Sequence, residues 1–206
     1  MLLEREASLR HDKRLATRLR YAKLRQQACV EDIDYRTPRG PDRPLFAKLV
    51  EGRWIDDHAN LLICDPVGVG KSWLASALGH KACRDNRSVL YQRVPRLFDD
   101  LALARGDGRH PRLLRGLGRV DLLILDDWRL EPLDAGARHD LLEILEDRYV
   151  IVPRSSPASS PWTSRMCSLE IPPMPNAVLD RLVHNAHRLD LTGESLRRTR
   201  QSARKA

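Results

Sequence analysis

The stretch Asn60-Leu61-Leu62-Ile63-Cys64-Asp65-Pro66-Val67-Gly68-Val69-Gly70-Lys71-Ser72 decides how the rest of the chain is read. Its first five residues are an apolar run of strand length. From Ser72 to Cys83, Leu74, Ala75, Leu78 and Ala82 recur at helical spacing. A glycine-rich turn therefore joins a strand to a helix, which is the setting a phosphate-binding loop requires. Gly68 and Gly70 permit backbone angles and a close approach that side chains would block, so successive N–H groups can wrap a phosphate at the helix N-terminus. Pro66, Val67 and Val69 fill the remaining loop positions. Lys71 is placed to meet the β- and γ-phosphates of ATP, and the Ser72 hydroxyl to ligate magnesium. One position departs from the motif G-x-x-x-x-G-K-[ST]: its first glycine is replaced by Asp65. A carboxylate about 5 Å from the phosphates, at an effective dielectric of about 20, adds about 3 kcal/mol of repulsion, on the order of a hundredfold in affinity. The expectation is weakened rather than abolished ATP binding.

Outward from the loop, strand and helix signals alternate. Ser88 to Gln92 and Val120 to Leu125 read as strands, Pro95 to Ala104 and Ala137 to Tyr149 as helices. This alternation predicts an α/β fold, a three-layer parallel sheet with right-handed crossovers. The run Leu122-Leu123-Ile124-Leu125 is apolar on both faces and ends in Asp126 and Asp127, at the carboxyl edge where such sheets place ligands. Asp126 fits magnesium coordination together with Ser72, and Asp127 fits the orientation or polarisation of an attacking water.

Upstream, Leu2 to about Gln27 contains neither proline nor glycine. Leu15, Leu19, Ala22 and Leu24 lie near helical spacing among arginines and lysines. A basic helical arm is expected, serving either as a solvated surface helix or as a docking arm for DNA or a partner protein. Thr37 to Pro44 (TPRGPDRP) is a Pro/Gly-rich break. The division is therefore an arm and linker at 1–40, a nucleotide-binding domain at 41–192, and a basic tail at 193–206. The 206 residues suit one domain and an appendage, and with 5% aromatic residues the core must be aliphatic. Lys and Arg total 36 against 28 Asp and Glu, a net charge of +8 that favours phosphate-bearing partners such as DNA. No secretion signal and no apolar run of membrane length is present, so the expectation is a cytoplasmic protein without a membrane partner. Cys29, Cys64, Cys83 and Cys167 form no metal-spaced or CxxC pair and read as reduced thiols.

With these motifs in place, the chain resembles the IstB-like ATP-binding helpers of bacterial insertion-sequence transposition, AAA+ proteins related to the helicase loader DnaC. Matching stretches are Tyr21 to Leu24, Glu31 to Tyr35, Gly68 to Ser72, Leu123 to Trp128, Asp140 to Tyr149, Asp180 to Ala186 and Gly193 to Arg197. The resemblance implies a P-loop ATPase of AAA+ type that assembles as a homo-oligomer on DNA, recruits the transposase subunit, and uses ATP to control target choice and strand transfer. It also implies that Arg181, in LDRL, completes a neighbour's ATP site, that Arg197 is a candidate sensor, and that the N-terminal module is shorter than in relatives. His184 and His187 read as packing histidines on a helix.

Between Tyr149 and Ala177 the resemblance lapses and then resumes without a change of length. Relatives read Ile-Thr-Ser-Gln-Leu-Pro-Val-Asp where this chain has Ser155-Ser156-Pro157-Ala158-Ser159-Ser160-Pro161-Trp162-Thr163. The nucleotide string TCATCACCAGCCAGCTCCCCGTGGACA encodes the first set in its third frame and the second in its first. Compensating frameshifts bounding an aberrant 151–176 segment are therefore hypothesised; sequencing the gene tests this, since restoring the frame must recover the family motif. Pro153, Pro157 and Pro161 cannot donate ladder hydrogen bonds, so a disrupted fourth strand and a gap in the sheet are expected. The reading is thus an impaired ATP-binding transposition helper. Its alternatives are a nucleotide-insensitive DNA- or transposase-binding remnant and a DnaC-like helicase loader. A small-molecule kinase is disfavoured because no lid or acceptor signature is visible.

Overall fold

Leucine-rich and β-branched runs supply the strands of a parallel sheet, and proline-started or alanine-rich segments the helices around it. The computed structural model describes residues 2–33, 35, 42–57, 59–65, 69–127, 134–146, 150–155 and 186–191. In chain order these form α1 (Leu2–Ala22), a 3₁₀ turn (Val30–Asp32), α2 (Arg43–Glu51), α3 (Arg53–Asp56), β1 (Asn60–Asp65), α4 (Lys71–Arg84) and β2 (Val89–Arg93). They continue with α5 (Val94–Gly106), α6 (His110–Gly118), β3 (Leu122–Asp126), α7 (Ala135–Glu146), β4 (Val150–Ser155) and β5 (Ala186–Asp190).

The sheet order is β2-β3-β4-β1-β5, and every pairing is parallel. Parallel neighbours need crossovers, and the helices between strands provide them. The apolar side chains on the two faces of the sheet form separate clusters. One holds Leu61, Ile63 and Ile124 with Ala22, Phe46, Trp54 and Leu78, from α1, α2, α3 and α4. The other holds Leu123 and Leu125 with Leu97, Leu101, Leu117 and Leu141, from α5, α6 and α7. Four successive residues of β3 are thus fully buried on alternating sides, which is why its sequence is unbroken Leu-Leu-Ile-Leu. The three-layer α/β expectation holds.

Two contacts fix how closely the layers approach. A Cβ added at Gly79 of α4 would lie 2.8 Å from Ile124 Cδ1 and 2.9 Å from Leu24 Cδ2, so the glycine seats the helix against both the sheet and the arm. On the opposite face Asp140 of α7, almost fully buried, accepts from Arg105 of α5 at 2.6 Å and lies 3.0 Å from His110 Nε2 of α6. The arm itself belongs to the first cluster. Ala22 is buried, Leu15, Leu19 and Leu24 pack against the cluster, and Arg84 holds Glu31 at 2.6 Å. α1 ends at Ala22 rather than near Gln27 because Lys23 turns the chain with φ of 49°.

Two expectations are corrected here. The fourth strand is present: Val150–Ser155 lies between β1 and β3. The β-branched triplet Val150-Ile151-Val152 starts it, and Pro157 and Pro161 fall after its end. Pairing with β1 runs from Leu61–Ile151 to Asp65–Ser155, whereas pairing with β3 covers only Leu123–Val150 and Ile124–Ile151, so the β3 ladder stops before Pro153. His187 lies on β5, opposite Leu61, and not on a helix. His184, and the segment from Ser156 to Asn185, fall outside the described residues.

Candidate nucleotide site

β1 delivers the chain to the carboxyl edge of the sheet, where Asp65 pairs in register with Ser155. Pro66, Val67 and Gly68 lie outside the described residues. Val69 is buried, and Gly70 has φ of 105°, a left-handed angle that favours glycine and turns the chain into α4. Its carbonyl receives the Leu74 N–H at 3.0 Å, the first bond of the helix. Lys71 and Ser72 therefore occupy the first turn, where the N–H groups point along the helix axis and the helix dipole favours an anion. Lys71 is itself largely buried.

β3 brings Asp126 to the same edge. The Ser72 hydroxyl donates to Asp126 Oδ2 at 2.7 Å, although the two residues stand 54 positions apart in the chain. The same oxygen accepts from the Tyr91 hydroxyl on β2 and from Arg25 Nη1 at 3.1 Å. Asp126 is 5% exposed, so its charge is sustained by these donors rather than by water. Burial, reinforced by the neighbouring Asp126 carboxylate, pushes the Tyr91 hydroxyl well above the ordinary tyrosine range and keeps it a donor throughout neutral pH. For Arg25, burial opposes the charge, and the hydrogen bonds to Tyr91 and Asp126 outweigh it. Asp127 follows with φ of 60°, a left-handed angle uncommon for a residue other than glycine, and its carboxylate pairs with Arg93 at the end of β2.

The structure joins Ser72 to Asp126, sets Lys71 beside Ser72 in the first turn of α4 and turns the Asp127 carboxylate to Arg93, whereas Arg181 lies outside the described residues. Tyr91 and Arg25 were not anticipated. A tyrosine inside a buried strand needs a hydroxyl partner, and that was the available signal for Tyr91. Nothing local marked Arg25, which reaches the site from beyond the end of α1. A hydroxyl and a single carboxylate at one end of a phosphate loop are the donor set magnesium takes when substrate phosphates and water complete its shell. Among the described residues no group of three or more His, Cys, Asp or Glu could hold a metal by itself.

The model of the IstB-like ATP binding protein family matches residues 1–204. The chain belongs to that family. The insertion-sequence ATP-binding protein y4pL of Sinorhizobium fredii is 65% identical over 98% of this chain and 82% of its own length. An insertion-sequence ATP-binding protein of Mycobacterium tuberculosis is 30% identical over 98% and 81%. Among solved structures, AMPPCP-bound DnaA from Aquifex aeolicus superposes with a TM-score of 0.64 at 16% identity, covering 89% of this chain and 56% of that one. DnaI superposes with a TM-score of 0.57 at 18% identity, covering 81% and 92%. These likenesses establish that the IstB-like chain has the P-loop fold of AAA+ proteins.

Proposed function

We propose that this IstB-like chain binds ATP with magnesium between Gly68–Ser72 and Asp126, and that it acts as the ATP-dependent helper of an insertion-sequence transposase on DNA. The observation that carries the reading is the 2.7 Å contact between Ser72 and Asp126 at the carboxyl edge of the sheet. The relatives named as insertion-sequence ATP-binding proteins support the same assignment. Ser72 and Asp126 are the residues that would hold magnesium, which when bound offsets charge on the phosphates. Lys71 neutralises the β- and γ-phosphates as a point charge. The Asp127 carboxylate accepts a hydrogen bond from the attacking water; as the water oxygen bonds to the γ-phosphorus, the bond to the β–γ bridging oxygen breaks, ADP leaves with that electron pair, and Asp127 takes up the water proton at Oδ. Arg181, presented by a neighbouring subunit, stabilises charge on the transferred group. Asp65 in place of the first glycine lowers ATP affinity without removing it.

The basic arm supports the DNA part of this reading: Arg14 and Arg20 are exposed on α1 while its apolar side packs inward. Fluorescence anisotropy of a labelled DNA duplex, titrated with the protein at several salt concentrations with and without magnesium and ATP, tests it. ATP is expected to tighten DNA binding severalfold. Salt-sensitive binding that ignores ATP would instead establish the nucleotide-insensitive remnant.

A further inference from the structure

Arg25 reaches the site from the turn that follows α1, and the chain on either side of it is anchored. Ala22 is buried, Leu24 packs on the first core cluster, Ala28 is buried, and Glu31 pairs with Arg84 of α4 at 2.6 Å. The seating of the arm therefore decides where the Arg25 guanidinium lies. Its contact is decided by charge: the Arg25 side chain is 42% exposed, whereas the Asp126 side chain it meets is 7% exposed. A carboxylate so far removed from water draws a cation to itself.

Asp126 Oδ2 accepts from Ser72 at 2.7 Å, from Arg25 at 3.1 Å and from the Tyr91 hydroxyl. One carboxylate oxygen offers about two lone-pair sites, so these three donors use its whole accepting capacity. They are not equivalent. Ser72 and Tyr91 are neutral and tied into α4 and β2, while Arg25 carries charge and faces water. A divalent cation held at Ser72 and Asp126 brings two positive charges to a place where the guanidinium already brings one. Such repulsion is far stronger beside buried groups than in water. The donor that gives way is the half-exposed one, because water can take over the hydrogen bonds it leaves.

We propose that Arg25 is a positioning residue of the nucleotide site, the counter-charge of Asp126 that it yields to magnesium, so that the seating of the arm and the magnesium requirement for ATP are coupled. The inference rests on the reading of Ser72 and Asp126 as magnesium ligands and adds to it a competitor built into the chain. The coupling is reciprocal. A firmer Arg25–Asp126 contact raises the magnesium needed, and magnesium with ATP frees the turn after α1 from the site. Ser72 and Tyr91 keep the carboxylate in place when Arg25 lets go.

The test is calorimetric titration of ATP into the full chain across a magnesium series, for the parent, Arg25→Gln, Arg25→Ala and Arg25→Lys. Arg25→Gln and Arg25→Ala are expected to lower the magnesium concentration for half-maximal binding about tenfold, the worth of one charge-assisted contact. Arg25→Lys keeps the charge and should stay near the parent. The sign separates this role from a structural one, since losing a residue that only braced Asp126 would raise the magnesium requirement. Glutamine retains a neutral donor, so Arg25→Gln reads the charge even if Arg25→Ala disturbs the arm. Phenylglyoxal labelling of Arg25, followed by mass spectrometry with Arg105 on the opposite face as reference, gives a second readout. Magnesium with ATP is expected to speed it severalfold over ATP with EDTA. A raised or unchanged magnesium midpoint in Arg25→Gln, or labelling that magnesium does not speed, overturns the proposal and leaves the nucleotide reading standing. A parent chain without magnesium-dependent ATP binding overturns both.

Discussion

Asp126 is held by three donors from three parts of the chain: Ser72 on α4, Tyr91 on β2 and Arg25 beyond α1. A buried carboxylate that lost one of them would keep most of its desolvation cost and less of its compensation. Tyr91 makes this measurable through pH. Its hydroxyl titrates above the unfolded value of about 10, so the stability it contributes is fully present below about pH 10 and is lost as pH rises toward the folded value. Tyr91→Phe is expected to cost about 1 to 3 kcal/mol at pH 8, and the difference from the parent should shrink above pH 10. Urea unfolding at the two pH values checks this; a constant difference would mean that the hydroxyl is not an obligatory donor. The Cys83 thiol is pushed up to about 11 chiefly by burial, and its lack of exposure agrees with the reading of structural, reduced cysteines.

At the scale of the elements, the layers meet where side chains are smallest. Gly79 lets α4 lie against Ile124 of β3 and Leu24 of the arm. Gly79→Ala pushes on the flexible ends of those two side chains and gains helix propensity, so its stability should fall within about 1 kcal/mol of the parent. Gly79→Leu cannot be absorbed that way and is expected to cost about 1 to 3 kcal/mol, with the arm loosening first. Denaturant midpoints and hydrogen exchange of residues 15–24 separate the two outcomes, and equal stability of both variants would disprove the close seating. These elements also show what could be read in advance. β1, α4 and β3 were legible because continuous apolar runs and a phosphate loop admit few other folds. α2 was not, because Pro44 closes the stretch read as a break although proline is well suited to a helix's first turn, and α6, which also starts with a proline, drew no reading. β4 was missed because three prolines outweighed the Val-Ile-Val start, and only Pro153 of the three lies in the strand. The Ser72–Asp126 half of the site was visible from motif spacing, whereas Arg25 depends on how the arm folds back, which no local pattern encodes.

For the molecule as a whole, the carboxyl ends of the strands carry the candidate nucleotide site, and the arm packs beside β2, the last strand of the sheet. If Arg181 serves a neighbour's site, activity is a property of an assembly, and two inactive variants should rescue each other. Asp127→Asn keeps the left-handed backbone that asparagine tolerates, and Arg181→Ala leaves its own Asp127 intact. Each alone is expected to lose about 10² to 10⁵ in ATP hydrolysis. Mixed in equal amounts, about a quarter of interfaces pair one intact half from each, and phosphate release should recover accordingly. Absence of recovery would place Arg181 outside the site.

The central claim, a magnesium-dependent nucleotide cradle formed by the loop before α4 and the end of β3, is tested most directly by calorimetric titration of ATP into the parent chain and Lys71→Ala. The account predicts saturable binding by the parent that requires magnesium, and a loss of about a hundredfold or more in Lys71→Ala with the fold retained. Equal affinity of the two proteins, or binding indifferent to magnesium, would contradict it.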